Sequence, residues 1–177
     1  VEYTLFTQDM LEDESYNNKL GAYIRDEIGT EQYTILDVEQ GVIPMTDFPY
    51  QKDSHNKIVK IGAAGGWIKP SSGYSFKGAE KKAEKIVQNL KKGRPPQHHL
   101  ISEKHRFYDR LLLRILCQKN HLGPSLFYQL YKRNTLAMIF KFLDEESHLL
   151  EDINIMASFD SRPFLKAMGE LAVKKIR

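Results

Sequence analysis

Residues 60–76, KIGAAGGWIKPSSGYSF, place four glycines, three serines and a proline around the only tryptophan of the chain. A strand ending in Gly62, Ala63, Ala64, Gly65 and Gly66 leaves its main chain bare, so a ligand or another segment can approach with no side chain between. A helix opening with Ser71, Ser72, Gly73 and Tyr74 would offer unbonded N–H groups and the positive end of its dipole. That is a seat for pyrophosphate or for a polarised ring carbonyl. The same spacing equally suits a tight strand-to-helix turn whose glycines only permit close packing. No Gly-Lys-Ser/Thr follows, which removes the Walker pattern and with it a nucleoside triphosphate. Among the other residue types that do chemistry, His98, His99, His105, His121 and His148 contain no pair of histidines four apart with a carboxylate, the zinc-hydrolase arrangement. They are expected to be solvated or to cap helices, and no metal site is expected. Cys117 lies in an apolar helical run and is expected to pack there.

The elements that would position these residues fall into two halves. VEYTLFT (1–7) has strand composition. DMLEDESYNNKLGAYIRDEIG then puts Tyr16, Leu20, Tyr23, Ile24 and Ile28 on one helical face, with Gly29 as the stop. QYTILDVEQGVIPMT (32–46) alternates like a strand around Gly41, and its Pro44 suggests a sheet edge; NKIVKIG (56–62) reads as a short strand. After Gly73, the residues Ala79, Ala83, Ile86, Val87 and Leu90 recur at helical spacing until Gly93-Arg94-Pro95-Pro96, a stretch expected to act as a hinge. EKHRFYDRLLLRILCQ, GPSLFYQLYKRN with Pro124 in its first turn, TLAMIFKFLDEESHLLEDINIM and SRPFLKAMGELAVKKI all carry helical apolar periodicity. The expected fold is therefore α/β (α+β), with mixed sheet elements in the N-terminal half and an all-helical C-terminal half. The expected regions are a sheet with one helix over 1–56, a strand-turn-helix over 57–93 and a helical region over 94–177.

Composition bounds the function. The 177 residues, 41% of them hydrophobic, suit one domain or one and a half, and no run of about 18 apolar residues exists to span a membrane. One cysteine cannot make an internal disulfide, which favours a reducing compartment. The chain begins at Val1 without a signal-peptide pattern, and a fragment of a longer protein is expected. Residues 1–55 carry 12 acids against 3 bases, whereas residues 77–106 carry 9 bases against 3 acids. Such a basic face is most simply a solvated helix, and it also suits an anionic lipid surface. No zinc-ligand spacing, arginine-rich arm or aromatic-glycine motif points to nucleic acid.

Strand, GAAGG, a proline four residues after Gly66, and SSGYSF opening a helix together resemble the second flavin-contacting motif of the lycopene β-cyclase family, the flavin-dependent carotenoid cyclases. In wider glutathione-reductase-type FAD/NAD(P)-binding flavoproteins that segment carries Gly-Asp-Ala. Here Ala63 stands in place of the ribityl-binding Asp, a departure the carotenoid cyclases share. VEYTLFT resembles the acidic Glu-Glu/Asp/Tyr-Thr strand of the family, and GVIPM its Gly-x-Ile/Leu-Pro-Met/Leu strand. RFYDRLLLRIL and IFKFLDEES resemble the bacterial branch in general pattern. The resemblance covers most of the chain, with its specific motifs in the first 76 residues. The Gly-x-Gly-x-x-Gly dinucleotide unit with which members start is missing, so the resemblance implies a C-terminal part that binds FAD poorly alone.

The resemblance further implies a redox-neutral isomerase that closes the end of lycopene or a related linear carotenoid through a carbocation, with reduced FAD as cofactor. It implies Glu2 as the acid, although the reduced flavin is an alternative proton donor. Gly62, Ala63, Ala64, Gly65, Gly66, Pro70, Ser72 and Gly73 would contact the flavin. Tyr3, Phe6, Trp67 and Tyr74, with Phe76 nearby, would line the polyene site, since π faces attract positive charge. The enzyme is expected to sit in the cytoplasm against the inner membrane, docking through the basic 77–106 segment and RFYDRLLLRILCQ. Two other readings stand beside this one: a flavin-dependent monooxygenase or desaturase, and a non-enzymatic basic helical interaction module.

Overall fold

A computed structural model describes residues 1–7, 9–50 and 58–176, with side chains to Leu171. The described residues form helices and turns, with no strand or sheet; Ile58 holds only an isolated bridge. The expected mixed sheet is thereby corrected. VEYTLFT and QYTILDVEQGVIPMT have no ladder among the described residues, and Asn56 and Lys57 of the third expected strand lie outside them. Alternation is one half of a strand; the other half is a neighbouring segment to bond with, and the described residues supply none. Leu36 is 93% exposed, as fits an apolar run with nothing laid against it.

The chain divides into a unit over Val1–Val42 and a unit from Ile43 onward. In the first, α1 (Asp13–Tyr23) carries Asp13 and Glu14 in its opening turn, runs into a π-helical stretch at Ile24–Ile28, and stops at Gly29 with φ 77°. Acidic side chains suit the positive helix end, and a left-handed residue closes the other. No residue of this helix is buried: Tyr16, Leu20 and Ile24 on its apolar face are partly covered, while Tyr23 and Ile28 are exposed.

The second unit holds α2 (Phe76–Lys91), α3 (Glu103–Gln118), α4 (Gly123–Arg133), α5 (Leu136–Leu143), α6 (Leu149–Ala157) and α7 (Ser161–Ile176). The Ser102 hydroxyl accepts the His105 N–H to start α3, and the Thr135 hydroxyl accepts the Met138 N–H to start α5. Pro124 lies in the first turn of α4, where its missing N–H costs nothing. The segment expected as one helix over 135–156 is broken at 144–148. Glu145 takes φ 62° after α5, and the Glu151 carboxylate accepts the His148 N–H at 2.8 Å to begin α6.

Leu111, Ile115, Leu126 and Ala167 form one core cluster, and Leu130, Ile139 and Ile155 a second; Phe159 packs against both. In α3, Leu111, Leu113, Ile115 and Leu116 are buried, so the leucine-rich face of RFYDRLLLRILCQ packs inside the unit, while Phe107 of the same segment is exposed. Cys117, expected to pack on this helix, is exposed, because it points away from that buried stripe. The Gly93–Pro96 stretch is stapled. Asn89, 1% exposed, donates through Nδ2 to the carbonyls of Pro96 at 3.1 Å and His98 at 2.8 Å. No helix among the described residues is long and apolar enough to cross a membrane.

Candidate functional site

The glycine-rich stretch folds as two closed turns. Ile61 is extended, Gly62–Gly65 form a 3₁₀ turn, and Gly66 leaves it at φ 67°. The turn bonds its own N–H groups: Gly65 donates to the Ile61 carbonyl at 3.1 Å, Gly66 to Ala63 at 3.0 Å and Trp67 to Gly62 at 3.0 Å. The next turn does the same, with Ser72 and Gly73 donating to the Lys69 carbonyl at 3.2 and 2.8 Å, and Tyr74 donating to the Ser72 hydroxyl at 3.4 Å. The expected helix start at Ser71–Tyr74 is therefore corrected: the N–H groups of Ser72, Gly73 and Tyr74 close a turn, and α2 begins at Phe76. A Cβ on Gly65 would overlap the Lys60 carbonyl, one on Gly66 would come within 2.9 Å of the Tyr50 ring, and one on Gly73 within 3.0 Å of Ile43. Only Gly62 of this stretch faces open space.

A cavity of about 600 Å³ lies beside these turns, a volume that suits a small-molecule site. Of the residues named from the sequence, Ala63, Gly66, Trp67, Pro70 and Tyr74 line it, while Gly62, Ala64, Gly65, Ser72 and Gly73 do not. Trp67 is buried at 7% exposed, whereas Tyr74 and Phe76 are 56% and 76% exposed. In the unit over 1–42, Glu2 is exposed and accepts the Thr4 hydroxyl at 2.5 Å. Tyr3 and Phe6 there are half-buried, and Tyr3 meets Tyr16 edge-on at 6.0 Å.

The polar end of the cavity is an ion-pair cluster whose members are distant in sequence. The Lys69 ammonium sits 3.1 Å from Asp109 Oδ1 and 3.1 Å from Glu145 Oε1. Burial opposes that charge, but the two carboxylates more than offset it and hold the Lys69 pKa above the ordinary lysine value. For Glu145 the balance runs the other way: burial would raise its pKa, and Lys69, then His105 and Lys82, bring it below the usual carboxylate range. Burial pushes the Lys82 ammonium down, and it makes no ion pair among the described residues although it lines the cavity. His105, 5% exposed, has Nδ1 2.9 Å from the Ser102 hydroxyl and 3.7 Å from Glu145 Oε2. The signal was present: His105 and Asp109 stand one turn apart in line with Leu113 and Leu116, polar groups on an apolar stripe.

Beside this cluster, Asp152 is fully buried and accepts from Lys104 at 2.7 Å, Tyr108 at 3.2 Å and Ser147 at 2.5 Å, tying α3 to α6. Lys77 and Lys81 pair with Asp144 and Glu146 at 2.6 Å each, fastening α2 to the end of α5. Among the described residues no group of three or more His, Cys, Asp or Glu side chains could hold a metal ion.

A flavin ring needs a flat slot and a donor for its carbonyl edge. On the side of the glycine-rich turns the cavity wall is made by Ala63, Gly66 and Pro70, and Lys82, which makes no ion pair among the described residues, is a donor that suits a carbonyl edge. The backbone at Gly65 and Gly66 is filled by the chain itself. The family model described as lycopene cyclase protein matches residues 1–169. Comparison with curated proteins and comparison with solved structures each return no match. Since the matched residues span nearly all of the chain, it belongs to the lycopene cyclase family.

Proposed function

We propose that the chain serves the cyclisation of lycopene to β-ringed carotenoids, a redox-neutral, proton-initiated isomerisation. The match to the lycopene cyclase family over residues 1–169 is the observation that carries this reading. Protonating a terminal double bond gives a cation, the neighbouring double bond attacks it to close the ring, and loss of a different proton restores neutrality. Glu2 is the proposed acid, because it occupies the acidic strand position that the family resemblance assigns to the proton donor. A carboxyl in a dry site keeps its proton available, so this role requires Glu2 to be covered when the substrate is bound.

The family is generally flavin-dependent, and reduced FAD, when bound, supplies electron-rich character beside the cation. In this reading Ala63, Gly66 and Pro70 form the cavity wall toward the flavin ring, and Lys82 offers charge to its carbonyl edge. Gly62, Ala64, Gly65, Ser72 and Gly73 shape the two turns that carry that wall. Trp67 and Tyr74 present π faces to the polyene or its cation, and Tyr3 and Phe6 flank Glu2. Lycopene resides in membranes, so the chain is further proposed to dock on an anionic inner-membrane surface from the cytoplasmic side through its basic 77–106 segment.

The test is pigment analysis of lycopene-accumulating bacteria expressing the intact reading frame, beside a Glu2→Gln version. Ringed carotenoids should appear with the unaltered protein and fall at least about a hundredfold with the variant, the usual minimum for losing a general acid. Unchanged lycopene with a folded, flavin-loaded protein would defeat the cyclisation reading. Equal ring formation by both would defeat the role of Glu2 alone.

A further inference from the structure

Cyclisation needs two proton transfers at different carbons, so a protonated donor must be matched by an ionised acceptor. Five carboxylates line the cavity among the described residues; Asp47, Glu103 and Asp144 pair with Arg110, Arg106 and Lys77, while Asp109 and Glu145 meet at the polar end, joined through the Lys69 ammonium. The Asp109 side chain is 5% exposed and the Glu145 side chain 33% exposed, which leaves Glu145 the accessible member. Glu145 follows the last turn of α5 with φ 62°, and its second oxygen lies 3.7 Å from the buried His105 ring. Aromatic and aliphatic groups, among them Trp67, Phe48, Leu100 and Leu143, make up much of the remaining wall.

We propose that Glu145 is the base that removes the final proton in ring formation; the inference rests on the cyclisation reading above. The C–H bond beside the cationic carbon breaks, its electron pair becomes the ring double bond, and the proton passes to the Glu145 carboxylate. No oxidant or reductant enters the step. Two properties of the site suit it. Lys69 keeps Glu145 ionised against the cost of burial, so an acceptor is present at neutral pH. A carboxylate bound to an ammonium is also a weak base and a weak nucleophile. Weakness is no handicap, because a proton next to a carbocation is very acidic, and it disfavours capture of the cation as an ester. Asp109 holds the other side of Lys69 and is assigned a positioning role.

The base decides which neighbouring carbon loses its proton, and so where the ring double bond lies. This supplies a readout that a structural role would not move. In lycopene-accumulating bacteria expressing the intact reading frame, Glu145→Gln should lower total ringed carotenoid about a hundredfold or more. The residue that forms should contain ring isomers with a displaced double bond, or hydroxylated products from capture by water. Glu145→Asp, which keeps the charge but shortens the reach, should retain activity and shift the isomer ratio. Flavin content and circular dichroism of the purified variants report folding separately. An unchanged isomer ratio in both variants, whether or not total yield falls, overturns the proposal. Failure of the unaltered protein to form any ring overturns the cyclisation reading and this inference with it.

Discussion

At the scale of single residues, His105 is the group most exposed to the consequences of its surroundings. Its Nε2 is buried with no hydrogen-bond partner, and Glu145, Lys104, Lys69 and Asp152 all act on it electrostatically. Burial lowers its pKa below 6.5, against the pull of Glu145. A group whose folded pKa is depressed stabilises the fold above its unfolded value. The contribution of the neutral ring is thus present above pH 6.5, starts to be lost as the pH falls below it, and is gone once the lower folded value is passed. Thermal melts at about pH 7.5 and about pH 5.5 should show a falling midpoint, and His105→Gln should flatten that limb. Glu145 and Asp152, whose pKa values are depressed, lose their own contributions only further into acid, so the two effects separate along the pH axis.

At the scale of elements, legibility followed how local each signal was. The limits of α3, Pro124 at the head of α4, and the stops at Gly29 and Gly93 could be read directly, because caps and periodicity act within a turn or two. The strands could not, because a strand depends on a partner that the segment itself does not encode. The break between α5 and α6 was hidden by continuous apolar periodicity, and only the acidic run at Asp144, Glu145 and Glu146, held by Lys77, Lys81 and Lys69, explains it. In the site, the turn carrying Ala63, Gly66 and Trp67 was legible as a special backbone, whereas the cluster of Lys69, Asp109 and Glu145 joins residues distant in sequence. The turn itself can be tested. Gly66→Ala would force an L side chain into φ 67° and against the Tyr50 ring, at a cost of about 1–3 kcal/mol, measurable as a lowered denaturation midpoint. Gly62→Ala shares the left-handed backbone but meets nothing within 4 Å, so it should cost less.

At the scale of the whole molecule, the basic segment is smaller in effect than its composition suggests. Lys77 and Lys81 are paired to Asp144 and Glu146, Lys104 to Asp152 and Arg106 to Glu103. Lys91, Lys92 and Arg94 at the end of α2 remain exposed and outside any ion pair among the described residues. If the chain docks on anionic lipid, replacing these three by Gln should weaken binding to phosphatidylserine vesicles by up to about 3 kcal/mol, with no change on neutral vesicles. Co-sedimentation would measure it, and equal binding by both proteins would remove this segment from the docking surface.

Phe159 packs against both core clusters and stacks on Phe164 at 5.4 Å between ring centres. A side chain shared in this way makes the two clusters mechanically one: loosening either withdraws support from the other. The helical region from α3 to α7 is therefore expected to open as a single cooperative block, and damage at one end should be felt as faster hydrogen exchange at the other.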